Sequence, residues 1–200
     1  MKIAFLGKGG SGKSTIAGNL CRVLAERGEQ ILAIDTDSVP GLAYSLGVDA
    51  PDPEAMSSGA IFVPKKGWEM VVTPREAVEH YAVKGPRGIH FMQFRKVTTK
   101  NNRELQASVI VLYNVIKEFE RKGWSVVIDL AAGVRQAYTG WGGGKMTFLL
   151  VVEPSLKSFF VARRAVKLMD KRKRSQVLGV ANKVASPRHR RMIAAELERL

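Results

Sequence analysis

Eight consecutive residues near the beginning of the chain have the types and spacing that phosphate chemistry needs. Gly7-Lys8-Gly9-Gly10-Ser11-Gly12-Lys13-Ser14 satisfies G-x-x-x-x-G-K-[ST] at every fixed position, and Thr15 follows. Glycines let the backbone curl so that successive N–H groups between Gly7 and Thr15 converge on phosphate oxygens. A helix starting near Lys13 adds its positive N-terminal end. Lys13 can then reach the β- and γ-phosphates of a nucleotide, and the Ser14 hydroxyl can ligate Mg²⁺. Three carboxylates belong to the same chemistry. Asp35 and Asp37 close one apolar run, and Asp129 closes another.

These groups act together only if the chain brings them to one place. Met1–Gly7 is a short apolar run and Ile16 to Arg27 is amphipathic, so the motif sits between a strand and a helix, the context it requires. Glu29–Asp37 and Trp124–Gly133 read as further buried strands. Carboxyl ends of parallel strands line a ligand crevice, which should bring Asp35, Asp37 and Asp129 to face the glycine loop. Trp68–Thr73, Gly88–Phe94, Met146–Val152 and Gln176–Ala181 read as additional strands. Leu105, Leu112, Ile116 and Phe119 recur at helical spacing before Gly123, and Pro187 to Leu200 carries Ile193 and Leu197 on one face. The Pro-, Ser- and Gly-rich stretch Asp49–Lys66 reads as a surface connection, and Gly140–Gly144 as a loop without chemistry. Strands alternating with helices imply one domain over residues 1–200, an α/β doubly wound, mostly parallel sheet.

Composition narrows the class. The chain carries 32 Lys+Arg against 18 Asp+Glu, a formal charge of +14. From Lys157 to Leu200 there are 13 Lys/Arg against 3 Asp/Glu. Phe159, Ala162, Val166 and Met169 of Ser155–Lys173 form an apolar stripe; Arg164, Lys167, Lys171 and, just past that stretch, Arg174 form a basic one on another face. That face suits nucleic acid, anionic lipid, an acidic protein, or only water. No apolar run reaches membrane-spanning length, and Met1-Lys2 leads directly into the first strand, so neither a transmembrane segment nor a signal peptide is expected. The single cysteine, Cys21, excludes an internal disulfide and fits a reducing, cytoplasmic location. His80, His90 and His189 have no metal-ligand spacing.

Lys8, directly after Gly7, gives Lys-Gly-Gly-x-Gly-Lys-Ser-Thr, which resembles the deviant Walker A motif of the MinD/ParA-type P-loop ATPases. Glu153-Pro154-Ser155 resembles the E-P-S of their CooC-type branch, the carbon monoxide dehydrogenase maturation ATPases. The resemblance implies a slow ATPase that binds ATP and Mg²⁺, forms a homodimer with ATP, releases it on hydrolysis to ADP, and drives a client or activating protein. Lys8 would reach across to the partner's phosphates. Asp35-Thr36-Asp37 resembles switch I, with Asp37 orienting or deprotonating the attacking water and Asp35 helping to hold the Mg²⁺ shell. Asp129 to Gly133 resembles Walker B and switch II, with Asp129 on Mg²⁺ through water and Gly133 near the γ-phosphate; Ala131 stands where the family often has Glu or Pro. Asn182-Lys183-Val184 resembles the motif whose asparagine contacts adenine.

Two departures matter. Where the CooC-type proteins carry a Cys-x-Cys metal pair, this chain reads Lys96-Val-Thr-Thr-Lys-Asn-Asn-Arg-Glu, without the thiolates a soft metal needs. The family also continues with another strand and helix beyond the position of Leu200, so the resemblance implies that these are missing here. The role expected is metalloenzyme maturation or assembly. The rival is a ParA-type partition or positioning ATPase binding DNA through Arg164, Lys167 and Lys171. A small-molecule kinase would share the phosphate loop but have no use for Lys8.

Overall fold

In the computed structural model, residues 1–37, 39–49, 59–93, 102–133, 146–169 and 176–200 are described, with backbone only for 102–105. Seven strands form the main sheet, in the order β5-β6-β2-β7-β1-β8-β9. They are β1 (Lys2–Gly7), β2 (Ile31–Asp35), β5 (Val83–Lys84), β6 (His90–Gln93), β7 (Ser125–Asp129), β8 (Thr147–Val152) and β9 (Gln176–Ala181). All neighbours pair in parallel except β5 with β6. A separate antiparallel hairpin joins β3 (Ala60–Val63) to β4 (Gly67–Met70).

The central strands are apolar on both faces because helices cover both. Phe5, Ala33 and Val127 point to one side, against α1 (Lys13–Glu26) and α2 (Gly41–Leu46). Their sequence neighbours Ala4, Leu6, Leu32, Ile34, Val126 and Ile128 point to the other. There they meet α3 (Pro74–Tyr81), α4 (Asn102–Arg121), α5 (Leu156–Met169) and α6 (Pro187–Leu197). The two-residue alternation of the strands thus sorts the core into two layers, and the doubly wound α/β expectation holds.

Several boundaries differ from the sequence reading. Asp49–Lys66, read as a surface connection, contributes β3. The strand expected over Trp68–Thr73 stops at Met70. Thr73 instead caps α3, its hydroxyl accepting from Glu76 N while the Glu76 carboxylate accepts from Thr73 N, with Pro74 opening the helix. That capping box outweighs the strand preference of Val71 and Val72. Cys21 is buried in α1, and burial pushes its thiol up to about 12. Phe94, Gly140–Gly144, Lys171 and Arg174 lie outside the described residues.

Strand order reverses around β1, with β7 on one side and β8 on the other. The carboxyl end of β1 is therefore the switch point where an open α/β sheet leaves a crevice. The glycine loop leaves β1 at that place.

Candidate functional site

The loop between β1 and α1 is held from both flanks. Gly7 has φ +152, and a Cβ there would lie 2.5 Å from Val151 O of β8. Gly12 takes φ +97 as the residue preceding α1, and a Cβ on it would meet Asn182 Nδ2 at 2.2 Å. Backbone conformation favours glycine at both positions, and at Gly7 the neighbouring backbone also leaves no room for a side chain. A turn closes from Ser11 N to Lys8 O at 3.1 Å. Lys13 is buried under the loop, its Nζ 3.4 Å from Lys8 O. Thr15 is exposed on the first turn of α1, where its carbonyl accepts from Asn19 Nδ2.

On the β2–β7 flank, the carboxylates gather as expected. Asp35 is fully buried, with Oδ1 accepting from Asp37 N at 2.8 Å and Oδ2 from Leu42 N at 2.9 Å. Burial, partly offset by those N–H groups, raises its pKa to about 7. The Mg²⁺-shell role expected for Asp35 therefore competes with a structural one. Both its oxygens already shape the loop between β2 and α2. Asp37 sits close enough to raise the pKa of Asp35 and Asp129 through its charge. Asp129 is pushed up to about 6, chiefly by burial, against a hydrogen bond from Ser14 and the charge of Lys13. Asp129 Oδ1 has no hydrogen-bond partner although it is buried.

That orphaned oxygen, beside the Ser14 hydroxyl and near two further carboxylates, is a donor set for a hard divalent cation. The residues fit Mg²⁺, which Ser14 and Asp129 would hold.

Thr36, between the two acids, was not singled out by sequence. It is buried, and both its N and Oγ1 donate to Asp129 O at 3.0 Å. Ala131 N donates to Thr36 Oγ1 at 3.0 Å. One threonine thus ties the β2 loop to the β7 loop. Its legible sign was a small hydroxyl residue between two acids at a strand end. Gly133, at φ +99, donates from N to Gly7 O at 3.1 Å and so joins the β7 loop to the phosphate loop.

On the β8–β9 flank, Asn182 Nδ2 donates to Ser11 O at 2.8 Å and Asn182 N to Val152 O at 2.8 Å. The amide expected to read adenine is thus engaged with the phosphate loop. Lys183, at φ +55, donates to Gly10 O at 2.5 Å and pairs with Glu153 Oε2 at 2.8 Å. Glu153 Oε1 pairs with Lys8 Nζ at 2.8 Å. The Lys183 and Lys8 ammonium groups hold the Glu153 carboxyl down to about 2. Ser155 caps α5, its hydroxyl accepting from Ser158 N at 3.3 Å, which gives the E-P-S motif a local structural reason as well.

Farther out, Phe159, Ala162 and Met169 of α5 are buried, and Arg164 and Lys167 are exposed as the stripe reading expects. Arg163, which that reading left aside, pairs with Glu196 of α6. Most of the stretch from Lys96, and the loop after Gly133, lie outside the described residues. No helix among the described residues is long and apolar enough to cross a membrane.

Comparison with known proteins agrees with this geometry. The family described as the CobQ/CobB/MinD/ParA nucleotide binding domain matches residues 3–200. The carbon monoxide dehydrogenase accessory protein CooC of Rhodospirillum rubrum is 28% identical over 202 residues, covering 94% of this chain and 76% of its own length. A ParA family ATPase from Chlorobium tepidum superposes with a TM-score of 0.69 at 15% identity, over 98% of this chain and 80% of that one. MinD of Pyrococcus horikoshii, solved with Mg-ADP, gives a TM-score of 0.63 at 20% identity, over 94% of this chain and 72% of that one. At these identities the two structures speak for the fold.

Proposed function

The chain belongs to the CobQ/CobB/MinD/ParA nucleotide-binding family, and from that premise we propose that it is a slow Mg-ATP-dependent ATPase whose ATP-bound form is a dimer. The observation that carries the reading is the pair of lysines on one loop. Lys13 is buried beneath the loop, where it can serve the phosphates of its own nucleotide. Lys8 sits at the loop's more open side, its side chain 23% exposed, where it can serve a neighbour's.

Within that reading the backbone N–H groups from Gly9 to Thr15 grip the phosphates, with Lys13 countering their charge. Mg²⁺, when bound, would supply neutralisation of the phosphate charge; Ser14 and Asp129 would hold it, with Asp35 helping to hold its shell. Asp37 orients or deprotonates the attacking water. Asn182 keeps the loop in shape through its bond to Ser11 O, and by the family resemblance its amide contacts adenine. Hydrolysis removes the group that Lys8 bridges, and the protomers part.

By likeness to CooC, the switch serves metalloenzyme maturation or assembly through contact with a client protein. Sedimentation with Mg-ADP and with a non-hydrolysable ATP analogue tests the core of this: dimers are expected only with the analogue, and only with Lys8 intact. Single protomers under both conditions would overturn it. Turnover unaffected by Lys8→Ala would favour a small-molecule kinase instead.

A ParA-type, DNA-binding role is the second reading, supported by the exposed Arg164 and Lys167 on α5. It requires DNA retention that depends on ATP and weakens as salt rises. No retention at low salt by an Asp37→Ala variant loaded with ATP would remove it.

A further inference from the structure

We propose that Glu153 is the positioning residue for Lys8: in the free chain its carboxylate holds the Lys8 ammonium on its own protomer, and this ion pair opens before Lys8 serves a partner's triphosphate. The inference rests on the dimer reading above and deepens it by naming what Lys8 leaves.

The fold puts the two groups together. β8 runs beside β1 with Gly7 opposite Val151, so the residue just past the end of β8 lies next to the start of the glycine loop. Glu153 is that residue. Its Oε1 stands 2.8 Å from Lys8 Nζ, and the same ammonium donates to Gly9 O at 2.9 Å. The Glu153 side chain is only 10% exposed. A carboxylate so placed is a strong intramolecular competitor for a lysine that must act elsewhere.

The surroundings make release feasible. Glu153 Oε2 is paired with Lys183 at 2.8 Å, and the Ser155 hydroxyl donates to Oε1 at 3.2 Å. When Lys8 departs, the carboxylate keeps one cation and one hydroxyl. Breaking a poorly hydrated ion pair is expensive mainly because it strands a charge. Here neither member is stranded, provided Lys8 finds another anion. A triphosphate supplies more negative charge than one carboxylate, and more than a diphosphate does. The exchange therefore favours ATP over ADP without any further recognition of the γ-phosphate. Lys183, tied also to Gly10 O, keeps Glu153 anchored to the loop throughout.

Two measurements on the full chain test this. In the first, the nucleotide-free protein is reacted with limiting acetic anhydride, and acetylation of Lys8 is read by mass spectrometry against the exposed Lys117. Glu153→Gln is expected to raise Lys8 labelling about three- to tenfold, the range for losing one charge-assisted contact. The wild-type chain in roughly 1 M salt, where screening reaches about 3 Å, should move the same way. In the second, sedimentation is titrated with the Mg-bound ATP analogue. The concentration giving half dimer is expected to fall about three- to tenfold in Glu153→Gln, with Mg-ADP still giving monomers.

Unchanged Lys8 labelling in both the variant and high salt would overturn the proposal. So would a half-dimer concentration that is unchanged or higher in a wild-type chain that does dimerise. A wild-type chain that never dimerises would overturn the dimer reading and the release step with it. The labelling would then still decide whether Glu153 holds Lys8.

Discussion

The phosphate loop has two unlike flanks. On the β2–β7 side, Asp35, Thr36 and Asp129 are buried, and Asp35 and Thr36 are held through backbone N–H and C=O groups. On the β8–β9 side, Lys8, Glu153 and Lys183 are held by side-chain ion pairs at the rim. Backbone hydrogen bonds between buried loops exchange slowly because an orphaned polar group costs roughly 1–3 kcal/mol. Side-chain ion pairs at the rim can trade partners at modest cost when the exchange leaves neither charge stranded, as Glu153 with two lysines allows. One flank is thus built to keep its geometry and the other to trade contacts. The chemistry that must be aligned falls on the first flank, and the group proposed to visit another protomer falls on the second.

The contrast can be broken by substitution, and the effects should descend in size. Asp37→Ala is expected to lower kcat roughly 100- to 1,000-fold, the lower part of the range for general-base catalysis, with nucleotide affinity little changed. Single-turnover hydrolysis with pre-bound Mg-ATP measures it. Lys13→Ala should weaken Mg-ATP binding roughly 100-fold, because a charged donor to phosphate is worth up to about 3 kcal/mol. Calorimetric titration reads that loss directly.

Thr36→Val removes one hydroxyl from the rigid flank. Ala131 N and Asp129 O each then lose a contact with that hydroxyl, and stability should fall about 1–3 kcal/mol by denaturant unfolding. Thr36→Ser should restore most of it. A flexible flank would give a much smaller loss, so this variant measures how rigid the β2–β7 side is.

The smallest effect concerns pH on the other flank. Glu153 titrates at about 2 in the folded chain against an ordinary 4.5. A lowered carboxyl pKa contributes stability that is present above the ordinary value and lost as pH falls through the folded one. Any Glu153→Gln difference in Lys8 labelling should therefore be flat from about pH 5 to 9 while still shrinking with salt. A step inside that window would assign control to another group.

Much of the rigid flank was legible beforehand. Gly7 to Ser14 and the carboxylates at the ends of β2 and β7 are local patterns, because a motif and the strand that carries it are adjacent in sequence. The exchangeable flank was less so. Glu153 was seen only as part of E-P-S, since its pairing with Lys8 depends on β8 lying beside β1, a neighbour relation that periodicity does not encode. For Asp35 the sequence reading offers a place in the cation shell, while its backbone partners, Asp37 N and Leu42 N, emerge only from the fold of the loop. The capping box at Thr73 was readable but lost to the β-branched residues before it.

The contact of Asn182 with Ser11 joins residues 171 positions apart. A nascent chain leaving the ribosome has its glycine loop within the first fifteen residues but lacks the strap that braces it until Asn182, 171 positions after Ser11, has been made. Grip on nucleotide should therefore mature only after β9 has been made, and a product abandoned before it would carry the motif without the hold.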